Sequence, residues 1–541
     1  MPVPLLCDDF SMQKPSFGKA TGVSRRDIFR KGGTLAALST VVGATANAAR
    51  PTLEIGRSIY QSIGVRPVIN CKGTFTIVSG SQSLPDVKRA MEEASRHFVH
   101  MDELMEGVGK RLAELTGAEW GIVTAGCAAA ITHVTSACIA GSDPEKMQRL
   151  PYLHGLKSEV IIPKYSRNVY DHAVRMLGVK VIEANDMSEY QAAFNERTAM
   201  VYILAGRGDE GPMGTQALAA IARQKSVPVM VDAAAEVLTI PNVHLQRGAT
   251  VVGYSGGKCL RGPQCAGLVL GEKNLLQASW ANSAPHHAFG RSLKVGKEEI
   301  MGMLAAVEAW TKRDHKAEWA QWEAWMDHIS KRVTQVEGVS AEVKQPKEGL
   351  SNRSPQLLIR WDGARLGITG QELSKLVFDS EPRIVLAGAR GSRPKQMDSM
   401  VSILAYMMSP GDEKVVADRL FAVLSKPPKM EVPPESAGQP ANVAGQWETH
   451  VEFQRGSAQH TLILEQKGGE LMGTHRGETL SGDLHGSVAA DQVQFRSAHR
   501  YEGTRLIYTF TGKVDGDTME GRVDLDEYGE ARWTAHRHKY A

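Results

Sequence analysis

Cysteine is scarce in this chain and follows no pattern. Six occur in 541 residues, with no C-x-x-C pair and no zinc-ligand spacing, so the chain does not read as a disulfide scaffold or a zinc module. An excess of either charge is also missing: 63 Lys and Arg stand against 60 Asp and Glu, a net +3. Without a concentrated basic stripe, the electrostatic footprint of a nucleic-acid binder is absent. No apolar run is long enough to span a bilayer securely, so no stable membrane anchor is expected. Internal repeats and low-complexity segments are lacking too. What remains is an ordinary globular composition, 42% hydrophobic and 23% charged, in a chain too long for one core. About two to four domains are expected.

The N-terminus has a character of its own. Ser24 to Lys31 reads "SRRDIFRK", followed by the small, apolar "GGTLAALSTVVGATA" and by Ala46-Asn47-Ala48, which fits a small-residue cleavage rule. Residues 1–49 resemble a twin-arginine export signal, the alternative being a disordered basic tail. An exported, periplasmic protein is the expectation. Cleavage would remove Cys7 and leave Cys71, Cys127, Cys138, Cys259 and Cys265, read as small buried residues without disulfides.

Residues 50–90 form an irregular arm leading into helical periodicity from Pro85 to Thr116. Over 91–300, short apolar runs such as "WGIVTAG", "EVIIPK", "AMVYIL", "VPVMVD" and "VVGYSGGK" alternate with helical stretches. That alternation predicts an α/β domain with a parallel or mixed sheet covered on both faces. A long helical segment, Lys297 to Val336, leads into a smaller α+β unit, giving a second domain over 301–425. The proline-rich 426–442 reads as a linker. Residues 443–541 alternate apolar and polar between Gly and Asp turns, which predicts an antiparallel barrel or sandwich. Gly445-Gln446-Trp447 resembles the first-strand Gly-x-Trp of lipocalin-type barrels, with Trp447 as a barrel-bottom core residue.

The chemistry is expected at strand ends in the α/β domain. Asp232 directly follows an apolar strand, and Lys258 lies 26 residues on, just past another. Open α/β sheets bind their ligands at such ends. Pyridoxal phosphate needs this pair: a lysine to form the Schiff base, and a carboxylate to keep the pyridinium nitrogen protonated. Small residues around Lys258 give room, and Ser255 could donate to the phosphate. In "VTAGCAAAITH", a strand, a glycine turn and a helix start would offer the backbone N–H groups of Gly126, Cys127 and Ala128 to that phosphate. A lone lysine or aspartate is usually a surface charge; the ordered triplet is more specific.

"YSGGKCLRGPQCAGLVLG" resembles the lysine motif of bacterial selenocysteine synthase-like proteins. "GVRPVINCKGTFT", "FVHMDELMEGVGKRLAELTGAE", "GRSLKVGKEEIMG" and "MMSPGDEKVVADRL" extend the resemblance over about residues 57–425. The branch it looks most like includes D-glucosaminate-6-phosphate ammonia-lyase. The resemblance implies a large aspartate-aminotransferase-like fold, pyridoxal 5'-phosphate on the motif lysine, and a homo-oligomer, either a dimer or a ring of dimers. It makes Lys258 the Schiff-base lysine and Asp232 the pyridine partner, with Ala234 against one ring face. His172, or else Tyr165, would cover the other face. Arg291, in a stretch matching the family's "GRxMKVGKEE", would meet an anion or a neighbouring subunit. Arg383 or Arg390 would fork a substrate carboxylate. The chain departs from the pattern at "KYSR", at Gly248-Ala249-Thr250 and at Cys127, which puts the substrate in doubt more than the cofactor.

The resulting expectation is an exported lyase that carries out α,β-elimination, of the ammonia-lyase type, on an amino acid or amino sugar acid. Racemase or aldolase chemistry shares its first step. Selenium transfer conflicts with export, because the tRNA substrate is cytoplasmic. A non-catalytic protein that binds through its C-terminal barrel is the alternative from another class.

Overall fold

The computed structural model describes residues 53–206, 211–351, 353–393, 396–430 and 438–539. The export leader expected at 1–49 and the middle of the proline-rich linker lie outside the described residues. The chain divides into two compact units, 1–66 and 67–541. The described part of the first contains one short 3-10 turn, Gln61–Ile63.

The second unit opens on strand β1 (Ile69–Cys71). Helices α1 (Pro85–Ser95) and α2 (Met101–Thr116) follow. Periodicity alone predicts one continuous helical stretch here. The chain instead breaks before His100, which is extended, and restarts with Asp102 and Glu103 in the new first turn, where acidic side chains favour a helix N-terminus.

Strands β2 (Trp120–Thr124), β3 (Glu159–Pro163), β4 (Lys180–Ala184), β5 (Thr198–Leu204), β6 (Val229–Asp232), β7 (Val251–Ser255) and β8 (Gly267–Gly271) build a seven-stranded sheet ordered 2-8-7-6-5-3-4. β8 runs antiparallel to both neighbours, and the other pairings are parallel. The expected alternation thus gives a mixed sheet. All its strands but the edge strand β4 are almost wholly buried, because helices cover both faces. Helix α3 (Cys127–Ala140), which follows β2, has buried residues all round, the mark of a helix enclosed in the core.

The long helical segment of the sequence is two helices, Lys297–Lys312 and His315–Val333. They part where Asp314 accepts the N–H of Ala317 and caps the second. The smaller domain carries β9 (Ser340–Lys344), β10 (Gln356–Asp362), β11 (Ile384–Leu386), β12 (Gly388–Ser392) and β13 (Gln396–Leu404). Four of these form an antiparallel sheet ordered 12-13-10-9, while β11 pairs in parallel with β1. The architecture is the aspartate-aminotransferase-like one expected, a large α/β domain with a small α+β domain.

The last hundred residues close into an eight-stranded antiparallel barrel. Its strands are β14 (Gly445–Glu452), β15 (Ser457–Lys467), β16 (Glu470–Arg476), β17 (Ser481–Ala489), β18 (Gln492–Tyr501), β19 (Thr504–Asp515), β20 (Thr518–Asp524) and β21 (Glu530–Arg537). β21 returns to pair with β14, which removes every free edge. At one end Trp447 is fully buried, its indole N–H donates to the Val443 carbonyl at 2.8 Å, and the Arg537 guanidinium lies 4.3 Å over its ring. The five described cysteines are unpaired. Among the described residues no helix is long and apolar enough to cross a membrane.

Toward the barrel's other end, His460, His475 and His499 are buried together. His475 bonds His460 at 2.9 Å and the Ser497 hydroxyl at 2.6 Å. Burial pushes His475 down to about 2 and lowers His460 and His499 as well. These imidazoles stay neutral in the folded barrel and gain protons when unfolded, below the ordinary imidazole value of about 6.5. Stability should therefore fall as pH drops below about 6.5, at about 1.4 kcal/mol per pH unit for His475 alone. Denaturant unfolding between about pH 7 and about pH 5 should show a shallower pH slope for His475→Gln than for wild type. Equal slopes would contradict the account.

Candidate active site

Parallel strands β6 and β7 are neighbours, with Asp232 in register with Gly253. Asp232 ends β6, and the lysine loop begins just beyond Ser255, the last residue of β7. Both chain segments therefore leave the sheet at its carboxyl edge, where open α/β sheets bind ligands. The runs "VPVMV" and "VVGY" are buried as strands, so the first charged residue appears only where each strand leaves the core.

Asp232 is only 2% exposed, so its carboxylate must be supplied with donors. The Tyr202 hydroxyl donates to Oδ2 at 2.7 Å, the Ala234 N–H to Oδ1 at 3.0 Å, and the Cys127 thiol to Oδ1 at 3.5 Å. Burial, and then the negative charge of Asp232, hold both Tyr202 and Cys127 well above their usual pKa values. Both keep their protons and remain donors. Asn168 Nδ2 in turn donates to the Tyr202 hydroxyl at 3.3 Å.

Gly126 caps α3 with a φ of 88°, and a Cβ built there would meet nothing within 4 Å. The first N–H groups of a helix have no intrahelical acceptor and sit at the positive end of its dipole. The turn thus offers the N–H groups of Cys127 and Ala128 to an anion. The side chain of Cys127 points elsewhere, toward Asp232 and toward Gly253, where a Cβ would come within 3.1 Å of its sulfur. This thiol ties the anion turn to the carboxylate.

Lys258 is half-buried and forms no ion pair among the described residues. Its loop is folded on itself: Arg261 N–H donates to the Lys258 carbonyl at 2.9 Å, and Gly262 N–H to that of Gly256 at 2.8 Å. A Cβ on Gly257 would lie 2.1 Å from Gln264 Oε1 and 2.8 Å from its Cα. That glycine answers to tight packing of the loop, beyond any need to clear space for a cofactor.

His172 and Tyr165 lie in the segment after β3, at the same sheet edge. His172 is exposed at the start of a short helix seated on α3, where the Thr132 hydroxyl donates to the Ala173 carbonyl at 2.9 Å. Tyr165 is partly buried and donates to the Met213 carbonyl at 2.8 Å. Arg291 is exposed and bonds the Pro285 carbonyl at 3.0 Å. Arg383 stacks 4.0 Å over the Phe378 ring and donates to that residue's carbonyl at 2.9 Å. Arg390 is exposed on β12.

A cavity of about 660 Å³ adjoins the lysine loop, lined by Cys259, Trp310, Arg313, Trp322, Arg353 and Tyr406. A cleft of about 560 Å³, bordered by Gly117, Val229 and Thr250, opens at the opposite edge, where strands begin. It is remote from Asp232 in the direction of the sheet. Tyr202, Asn168 and the thiol of Cys127 are site residues that pattern reading missed. The one local signal was a tyrosine inside the apolar run "AMVYIL".

A carboxylate and a lysine at adjacent strand ends, with an anion turn on a third element, fit pyridoxal phosphate, and the chain is a pyridoxal-phosphate-dependent enzyme of the aspartate-aminotransferase-like fold. Residues 89–336 match the family model described as L-seryl-tRNA selenium transferase. The chain is 30% identical over 382 residues to a Streptomyces 5'-C-glycyluridine monooxygenase-decarboxylase, covering 68% of this chain and 92% of that one. The chain belongs to the same family as that relative. It is 27% identical over 327 residues to a D-glucosaminate-6-phosphate ammonia lyase of Salmonella typhimurium, covering 58% of this chain and 85% of the relative. A solved D-glucosaminate-6-phosphate ammonia-lyase superposes with a TM-score of 0.60 at 25% identity, covering 68% of this chain and 98% of that structure. About a third of this chain thus has no counterpart there.

Tyr202→Phe removes a donor from a buried carboxylate and an acceptor from Asn168. It should destabilise the protein by about 1–3 kcal/mol, read from the urea midpoint. An unchanged midpoint would mean that the hydroxyl does not support Asp232.

Proposed function

We propose that the chain is an exported lyase that performs α,β-elimination on an amino acid or amino sugar acid, with its cofactor held at Lys258 and Asp232. The observation that carries the reading is the placement of these two residues at adjacent parallel strand ends. Bound pyridoxal phosphate supplies an electron sink for the carbon that loses its proton. Lys258 Nζ would hold the cofactor covalently and, as a free amine, would take the α-proton of the substrate. Asp232, its orientation fixed by Tyr202, Cys127 and Ala234, would accept a hydrogen bond from the ring nitrogen. The N–H groups of Cys127 and Ala128, with the Ser255 hydroxyl, would hold the phosphate; the Gly126 N–H, expected to join them, is instead donated to the Thr124 carbonyl at 2.9 Å, so Gly126 serves as the turn's hinge. Ala234 and His172 would cover the two ring faces, with Tyr165 as the alternative for the second.

Arg383 or Arg390 is assigned to the substrate carboxylate, and Arg353 joins them because it lines the cavity beside the lysine loop. Elimination is favoured because ammonia-lyases match in both sequence and structure. The match to a monooxygenase-decarboxylase makes loss of carbon dioxide the second reading. Export rests on the twin-arginine pattern alone. A homo-oligomer, with Arg291 toward a neighbouring subunit, is supported by exposed Phe75, Ile77 and Phe98. The barrel is assigned to the lipocalin-like class, with Trp447 at its closed end.

The test is a screen of D- and L-amino acids and amino sugar acids for released ammonia, keto acid and carbon dioxide. The protein should arrive coloured, lose its visible band on borohydride reduction, and carry the label on Lys258. Lys258→Ala should abolish turnover. Activity that survives this change would sink the mechanism, and carbon dioxide without ammonia would replace elimination by decarboxylation.

A further inference from the structure

The β18–β19 turn of the barrel is two residues, Glu502 and Gly503, and it docks on the segment between β3 and β4. Gly503 has no room for a side chain. A Cβ there would fall 2.0 Å from the Asn168 carbonyl oxygen and 2.7 Å from the Asn168 nitrogen. Glu502 holds a φ of 51°, a region that non-glycine residues seldom occupy. Its carboxylate pairs with Arg167, whose side chain is 7% exposed and also takes Asp171 at 2.6 Å and Glu183 at 3.1 Å. Asp171 takes Arg175 at 3.1 Å, and that guanidinium lies 5.7 Å over the Tyr501 ring. The rim of the barrel is therefore fixed by close backbone contact and by a partly buried charge network.

Asn168, under Gly503, also reaches inward. It accepts the Tyr170 N–H at 2.7 Å, donates to the Ser166 carbonyl at 2.7 Å, and donates to the Tyr202 hydroxyl at 3.3 Å. Tyr202 donates to Asp232. The barrel turn is thus three contacts from the carboxylate assigned to the cofactor nitrogen. The Asn168–Tyr202 bond is already long, and a shift of a few tenths of an ångström would take it out of hydrogen-bonding range. Buried polar chains of this kind are strong only when every member is in place.

We propose that the Glu502-Gly503 turn is a positioning element of the cofactor pocket, acting through Asn168 and Tyr202 on Asp232. The inference rests on the cofactor assignment made under the proposed function. The turn lies outside residues 89–336, the part matched by the family model, so it adds to the machinery that match covers.

The test uses the full chain. Pyridoxal phosphate affinity and the pH midpoint of the bound cofactor's visible band are measured for wild type, Gly503→Ala, Asn168→Ala and the double variant. Absence of cofactor binding or of Lys258 labelling in wild type would overturn the cofactor assignment, and this inference with it. With wild type binding normally, each single variant should weaken cofactor binding about 5-fold or more and shift the midpoint. The double variant should be no weaker than the worse single, because the residues act in series. Folded single variants with unchanged affinity and midpoint, or effects that simply add, would overturn the positioning role while leaving the assignment intact. Should Gly503→Ala not fold, Glu502→Gln takes its place with a smaller effect in the same direction, and no effect would overturn the proposal.

Discussion

A carboxylate that is 2% exposed at the end of a buried strand costs several kcal/mol unless donors surround it. Asp232 meets that demand with groups from three elements. Tyr202 comes from β5, Cys127 from the first turn of α3, and the Ala234 N–H from the chain just beyond β6. The demand ties the sheet order to the site. β5 must flank β6 on one side, the lysine strand β7 flanks it on the other, and α3 must start against the same edge. The thiol is suited to its place, because a side chain at position 253 would crowd its sulfur at 3.1 Å, so Gly253 leaves it room, and an ionised thiol would repel Asp232.

The lysine loop is braced from outside the sheet. Ser81 N–H donates to the Gly257 carbonyl at 3.0 Å, and Leu84 N–H to that of Arg261 at 3.0 Å. The same arm begins as β1, which pairs with β11 of the small domain, and Thr74 N–H donates to Tyr406 at 3.1 Å. A stretch that reads as irregular therefore links the small domain to the lysine. Some of its backbone groups are satisfied by those two partners, and others by local turns such as the 3-10 turn Thr76–Val78.

The barrel adds a second brace from the far end of the chain. One end is filled by the buried Trp447 and its strands have no free edge, so the barrel can be rigid without help from the enzyme body. A rigid module touching the segment after β3 holds residues that strand pairing leaves free. That is a physical reason for a barrel to accompany an enzyme.

The apolar runs, the glycine turn, Asp232 and Lys258 were legible in the sequence because each depends on neighbours a few residues away. A strand that must be buried and a charge that appears where it ends form a local pattern, and so does the barrel's alternation. The sequence by itself therefore determined the fold class and the pair of residues on which the chemistry is proposed to rest. The side-chain donors to Asp232 were not legible, because Tyr202 lies 30 residues from it and Cys127 lies 105. The pairing of Arg167 with Glu502 spans 335 residues. No local pattern encodes such distances. Only tertiary packing decided which buried groups would satisfy one another, because a polar atom removed from water must bond whichever partner the fold brings within reach.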